Sequence, residues 1–279
     1  MAYRTLIDVP ALATHLADDN LVVVDCRFDL ADTGAGEAAY AQAHIPGAVY
    51  AHLDRDLSGP KTGANGRHPL PEPHALAATL GRLGIGAGTQ VVAYDQEAGS
   101  YASRLWWLLR WMGHEAVAVL DGGLAAWTAG GHAASSGLET PEARVFDGAP
   151  HPDMLVPLAD VAALSGTATR LVDARAPERY RGDVEPLDPV GGHIPGALNH
   201  FFMRNLANGR FLSPDALRAL FRESVGQTSG DRLVCYCGSG VTACHNLLAL
   251  EHAGLTGARL YAGSWSEWVA DPGRGVERG

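Results

Sequence analysis

Arg232-Leu233-Val234-Cys235-Tyr236-Cys237-Gly238-Ser239-Gly240-Val241-Thr242 is the stretch whose reading decides the rest. Its first five residues are apolar and β-prone and predict a buried strand. The residues that follow, Ala243-Cys244-His245-Asn246-Leu247-Leu248-Ala249-Leu250, predict a helix. Cys237 therefore falls at a strand end, where two glycines bend the chain into a helix N-terminus. Backbone N–H groups converge in such a turn, and the helix dipole adds positive potential. A thiol there ionises more readily than a free thiol, whose pKa is about 8.5. The geometry suits a thiolate that attacks and then holds a charged group in a cup of amides. The competing reading is a structural cysteine buried ahead of a Gly-rich turn.

The chain has 279 residues, 47% of them apolar, enough for one large domain or two ordinary ones with packed cores. With 34 glycines and 16 prolines, many turns are expected. A net charge of −10 argues against nucleic acid as a partner, because no basic stripe meets the phosphates. No run of about 18 apolar residues predicts a membrane span, and residues 1–10 lack the apolar core of a signal peptide. The four cysteines are Cys26, Cys235, Cys237 and Cys244. Their spacing fits no usual zinc pattern, so no metal is expected. Free thiols in a reducing cytoplasm fit this usage best.

The chain contains itself twice. Val22-Val23-Val24-Asp25-Cys26-Arg27 returns as Leu171-Val172-Asp173-Ala174-Arg175, and His44-Ile45-Pro46-Gly47-Ala48 as His193-Ile194-Pro195-Gly196-Ala197. Val91-Val92-Ala93-Tyr94-Asp95 matches Leu233-Val234-Cys235-Tyr236-Cys237, and Asp121-Gly122-Gly123 through Trp127 matches Ala262-Gly263-Ser264 through Trp268. The offset stays between 141 and 149 residues, the size of a domain rather than of a solenoid repeat. In the first half, strands are expected at residues 21–26, 47–50, 90–94 and 116–120. Helices are expected at 35–43, 72–83, 101–112 and from 124. The second half repeats the alternation, with Ser213 and Pro214 opening a helix over 215–225. Alternation of this kind predicts an α/β fold, a mostly parallel sheet in each half with helices on both faces. The expected organisation is an N-terminal domain over 1–134, a Gly/Ser/Pro-rich linker over 135–152 and a C-terminal domain over 153–279. Ligands bind beyond the carboxyl ends of strands in such sheets, where Cys237 falls. Trp107 and Trp111, one helical turn apart, read as packing residues.

The Cys237-Gly238-Ser239-Gly240-Val241-Thr242-Ala243 loop, the paired His-Ile-Pro-Gly-Ala blocks and the terminal Gly263-Ser264-Trp265-Ser266-Glu267-Trp268 resemble the two-domain rhodanese sulfurtransferases over nearly the whole chain. The resemblance implies two tandem rhodanese-like domains, only the second of them catalytic. It implies that Cys237 takes up sulfur as a persulfide, with no other cofactor. Implied donors are 3-mercaptopyruvate or thiosulfate; implied acceptors are a small thiol, cyanide or thioredoxin. The residues agree: Asp95 stands where the second repeat has Cys237, and a carboxylate cannot accept sulfane sulfur. The main competing class is a cysteine phosphatase, which carries a phosphate-binding arginine six positions after the cysteine; here that position is Ala243. A non-catalytic binding module is the third class, opposed by the intact loop.

Within the family, thiosulfate enzymes place basic side chains after the cysteine. Gly238-Ser239-Gly240 is neutral and resembles the mercaptopyruvate type, so a cup without a fixed cation and a preference for 3-mercaptopyruvate are expected. That type pairs the loop hydroxyl, here Ser239, with a histidine and an aspartate from the first domain, which fall on His68 and Asp54. Such a relay orients and supplies the proton that the enolate leaving group needs. Backbone groups of Gly238, Gly240, Val241 and Thr242 would line the cup. Arg179 falls where the family grips the donor's carboxylate or sulfonate. A second arginine is often found nine residues on, but this chain has Asp188 there. Arg181 is the nearby candidate to replace it, and thiosulfate stays open as donor.

Overall fold

The computed structural model describes residues 3–279 except 97 and 165. The chain forms two compact units, Met1–Gly59 with Pro71–His151, and Pro60–Leu70 with Pro152–Gly279.

The first unit runs β1 (Leu6–Ile7), α1 (Val9–His15), β2 (Leu21–Asp25), α2 (Ala35–Gln42), β3 (Val49–Tyr50), α3 (Pro73–Arg82), β4 (Gln90–Tyr94), α4 (Ala102–Trp111), β5 (Val117–Leu120) and α5 (Gly123–Ala129). Its strands form one parallel sheet in the order β1-β5-β4-β2-β3, flanked by the helices. The strands are short, β-branched and almost fully buried, as parallel strands covered by helices must be. Helix starts follow local chemistry. The Asp8 carboxylate accepts from the Ala11 N–H at 2.8 Å, with Pro10 in the first turn of α1. Leu76 and Leu80, one turn apart on α3, both face the interior. Val23, Val92, Tyr94, Ala118, Leu120, Ile45 and Trp127 make the core. Trp107 and Trp111 are buried and stacked, ring centroids 5.7 Å apart.

Residues 135–151 also belong to the first unit. Ser135 bridges to His44, the Arg144 N–H donates to the Gly81 carbonyl at 2.9 Å, and the His151 N–H donates to the Trp111 carbonyl at 2.8 Å. Gly81 has no Cβ because one would meet the Arg144 carbonyl oxygen at 2.4 Å. The stretch lacks periodicity because it runs without helix or strand along a surface, tethered by these bonds.

The second unit comprises α6 (Leu158–Val161), β6 (Arg170–Asp173), α7 (Pro177–Arg181), β7 (Leu198–Asn199), β8 (Leu206–Ala207), β9 (Arg210–Phe211), α8 (Pro214–Val225), β10 (Leu233–Tyr236), α9 (Thr242–His252), β11 (Arg259–Leu260) and α10 (Ser264–Trp268). Its parallel sheet has the order β11-β10-β6-β7. The counterpart of β1 is reduced to one bridge, Leu155 to Leu260. An antiparallel hairpin of β8 and β9 has no equivalent among the described residues of the first unit.

The duplication is physical as well as sequential. Arg27 and Arg175 each grip the buried aspartate two residues earlier, Asp25 or Asp173, and each donates from Nη2 to a carbonyl, of Ala43 or Gly192, at 2.6 Å. Tyr94 and Tyr236 each accept through the hydroxyl from the N–H of Ile45 or Ile194 at 3.2 Å. Removing one partner of such a pair would leave a buried charge uncompensated.

Candidate active site

β10 ends at Tyr236 and α9 begins at Thr242, so residues 237–241 form the turn between them. Gly240 has φ +78°, and a Cβ there would lie 2.2 Å from the Ala262 carbonyl oxygen. Only glycine fits. The N-terminus of α10 braces the loop from behind: Trp265 and Ser266 donate their N–H groups to the carbonyls of Cys237 and Gly238 at 3.0 and 2.9 Å, and Ser264 Oγ accepts from the Cys237 N–H at 3.1 Å. Ser264 is fully buried with φ +56°, a strained backbone held by these bonds.

Cys237 is 2% exposed. Burial pushes its thiol pKa up, but the Thr242 hydroxyl and the N–H groups of Ser239 and Ala243 donate to the sulfur and outweigh burial, leaving it below the ordinary thiol value despite the nearby Asp173 carboxylate. The Gly240 N–H also points at Sγ, at 3.2 Å. A lowered thiol pKa means more thiolate at neutral pH, with nucleophilic rate rising as pH climbs through that pKa. Removing the Thr242 hydroxyl should move the rise to higher pH. A hydrogen bond to a charged group contributes about 1.5–3 kcal/mol. Thr242→Val should therefore slow iodoacetamide alkylation of Cys237 about tenfold near neutrality. An unchanged pH profile of alkylation would mean the hydroxyl plays no part.

The other cysteines are ordinary by contrast. Burial pushes the thiols of Cys26 and Cys235 well up, and Cys244 Sγ donates to the Gly240 carbonyl at 3.3 Å. No group of three or more His, Cys, Asp or Glu side chains able to hold a metal occurs among the described residues.

Ser239 Oγ and His68 Nδ1 lie 2.7 Å apart, both side chains buried. His68 was expected from the first domain; its segment, Pro60–Leu70, is part of the second unit. Asp54 belongs to the first unit, where it is half-buried and its N–H donates to His52 Nδ1 at 3.1 Å. Val241 is buried, and Thr242 is the first residue of α9.

Arg179 extends from α7 and donates to Glu185 through Nη2 at 2.6 Å and Nε at 3.2 Å. The expectation of a cup without a fixed cation is corrected. Loop residues 238–240 carry no charge, but a Cβ on Gly238 would meet Arg67 Nη2 at 2.7 Å and Arg179 Nη2 at 3.5 Å. Two guanidiniums reach the loop from other parts of the second unit. Arg67 was missed from the sequence; nothing local marks it, because its partner Asp188 is 121 residues away. The buried Asp188 carboxylate pairs with the partly exposed Arg67 and stands 3.5 Å from Arg179. Arg181 does not take part: it is half-exposed and paired with Asp183 at 2.8 Å.

The corresponding turn of the first unit is filled differently. Asp95 directly follows β4, and its carboxylate accepts from the N–H groups of Gly99, Tyr101 and Ala102 at 2.9, 2.7 and 2.8 Å. The amides that could cradle an anion are occupied by the unit's own side chain.

The rhodanese-like domain family matches residues 8–130 and again 158–271. The chain is 48% identical to a probable 3-mercaptopyruvate sulfurtransferase of Pseudomonas aeruginosa, over the full length of both. It is 35% identical to the thiosulfate sulfurtransferase of Rattus norvegicus, over 99% of this chain and 96% of the rat protein. The crystal structure of SseA from Escherichia coli, described as a 3-mercaptopyruvate sulfotransferase, is similar with a TM-score of 0.82 and 32% identity, covering 94% of this chain and 99% of that one.

Proposed function

The chain belongs to the rhodanese-like family, and from that premise we propose that it is a sulfurtransferase whose Cys237 takes sulfane sulfur from 3-mercaptopyruvate and passes it to a thiol or cyanide. The thiolate attacks the donor's sulfur. The carbon–sulfur bond breaks, its electron pair stays on carbon as the enolate of pyruvate, and Cys237 is left as a persulfide. The enolate takes up one proton to give pyruvate. An acceptor thiolate or cyanide then attacks the outer sulfur and releases the Cys237 thiolate. Thioredoxin is a proposed protein acceptor. All four cysteines are free thiols, which supports a reducing, cytoplasmic setting.

The observation that carries the reading is the buried Ser239–His68 contact of 2.7 Å, two residues along the loop from the nucleophile. Departure of an enolate calls for a proton source; departure of sulfite from thiosulfate does not. Ser239→Ala should therefore lower kcat/KM for 3-mercaptopyruvate about tenfold or more, which needs only about 1.4 kcal/mol in the barrier. It should change thiosulfate turnover little. A wild-type preference for thiosulfate, with Ser239→Ala affecting both donors equally, would sink this assignment. A thiosulfate:cyanide sulfurtransferase is the second reading, and the guanidiniums of Arg67 and Arg179 beside Gly238 favour it, since they can match a dianion. In that reaction the thiolate attacks the outer sulfur and sulfite leaves with the bonding pair.

A further inference from the structure

We propose that Arg67 is the principal anion-recognising residue at Cys237, acting with Arg179 on the carboxylate or sulfonate of the incoming donor, and that Asp188 positions it. The inference rests on the sulfurtransferase reading only for the identity of the donor.

Residue 238 follows the nucleophile directly, and the volume a side chain would fill there is taken by guanidinium nitrogens: Arg67 Nη2 at 2.7 Å, Arg179 Nη2 at 3.5 Å and Arg179 Nη1 at 3.7 Å from the would-be Cβ. A side chain at 238 would have to displace the Arg67 guanidinium, so the neutral loop is charged from outside.

The two cations are not equally engaged. Arg179 is held by Glu185 through two nitrogens, and Glu185 also meets Arg175 at 3.2 Å. Arg67 has one side-chain bond, from Nη1 to Asp188. Among the described residues its Nε and its loop-facing Nη2 have no hydrogen-bond acceptor. A guanidinium has five N–H donors in a rigid fork, so Arg67 keeps a donor edge turned to the loop while its far edge is fixed. It remains 27% exposed, whereas its anchor Asp188 is 4% exposed.

The backbone beneath it is fixed as well. The Arg67 N–H donates to Ser266 Oγ at 3.0 Å, and Gly66, at φ +84°, leaves only 2.8 Å between a would-be Cβ and the Gly263 carbonyl oxygen. Because α10 also braces residues 237 and 238, cation and nucleophile are referred to one support, the kind of preorganisation that keeps a binding geometry precise. The neighbour of Arg67 is His68, on Ser239. One dipeptide would thus address the donor's charge with one side chain and the loop hydroxyl with the next.

The test uses two alkylating agents of nearly equal size, anionic iodoacetate and neutral iodoacetamide, with modification of Cys237 followed by intact mass. Arg67→Gln should lower the iodoacetate-to-iodoacetamide rate ratio about tenfold, a modest demand for a charge within several ångströms. Gly238→Ala, which displaces the guanidinium, should lower it in the same direction, and Arg67→Lys should restore much of it. In steady state, Arg67→Gln should raise KM for the donor more than it lowers kcat. A ratio unchanged in Arg67→Gln overturns the inference; so does a fall that Arg67→Lys leaves entirely uncorrected, since that would mean a packing role. Alkylation requires only the thiolate, so failure of both sulfur donors to load Cys237 would defeat the sulfurtransferase reading and leave this result standing.

Discussion

Cys237→Ser should take up no sulfur. After treatment of the wild type with a donor, intact mass should rise by one sulfur atom, and the adduct should map to Cys237; the serine variant should show none. Turnover should fall roughly a thousandfold or more, because a hydroxyl in the same cup is a far weaker nucleophile and cannot hold sulfane sulfur. No other thiol can take over. Cys26 and Cys235 are buried with their thiol pKa pushed up, and Cys244 is buried with its S–H donated to the Gly240 carbonyl. Cys235→Ala and Cys244→Ala should accordingly keep the adduct. An adduct that survives in Cys237→Ser would assign the chemistry elsewhere.

The second large effect falls on stability, in the first unit. Asp95 is 1% exposed and satisfies three buried N–H groups. Asp95→Ala removes their acceptor and leaves buried donors without it. Charge-assisted hydrogen bonds and unsatisfied buried donors each count for about 1–3 kcal/mol, so a loss of about 3–5 kcal/mol is expected. Tm of that unit should fall by about 10 °C or more, measured by calorimetry. Asp95→Asn keeps one acceptor oxygen and should recover part of the loss. Equal melting of wild type and Asp95→Ala would show that the cradle is not held by its carboxylate.

Much of this was legible in the chain. The strand at residues 90–94 is β4 to the residue, and the strand–turn–helix around Cys237 follows from an apolar run interrupted by glycines. Those signals are local: alternation, capping and glycine placement act within a few residues. The paired His-Ile-Pro-Gly-Ala blocks were readable as a duplication but not as structure; His44 and His193 bond through Nδ1 to the carbonyls of Tyr40 and Tyr180, both at 2.8 Å, and stack on those rings. The β8–β9 hairpin was missed although Asn208-Gly209 announces it, both residues taking positive φ as a tight hairpin turn needs. Arg67 could not have been found this way. Its function depends on Asp188 and Gly238, and no periodicity within eleven residues of loop encodes a partner so distant. The charge on the cup was misjudged for the same reason: reading the loop alone counts only the loop's own side chains.

The second unit is not one continuous length of chain. Pro60–Leu70, eleven residues, belongs to it although the first unit resumes immediately after. On a ribosome, which makes an N-terminal domain first, this short segment emerges well ahead of the residues it is to join. His68 and Ser239 are 171 residues apart, so this contact can form only when almost the whole polypeptide has been made. Partial chains can complete the first sheet yet cannot assemble the reactive centre. A newly made molecule would thus acquire its reactive thiol environment only at the end of synthesis. A hybrid gene joined near residue 152 would carry Arg67 and His68 from one parent and Cys237 from the other, making donor recognition a trait inherited from both.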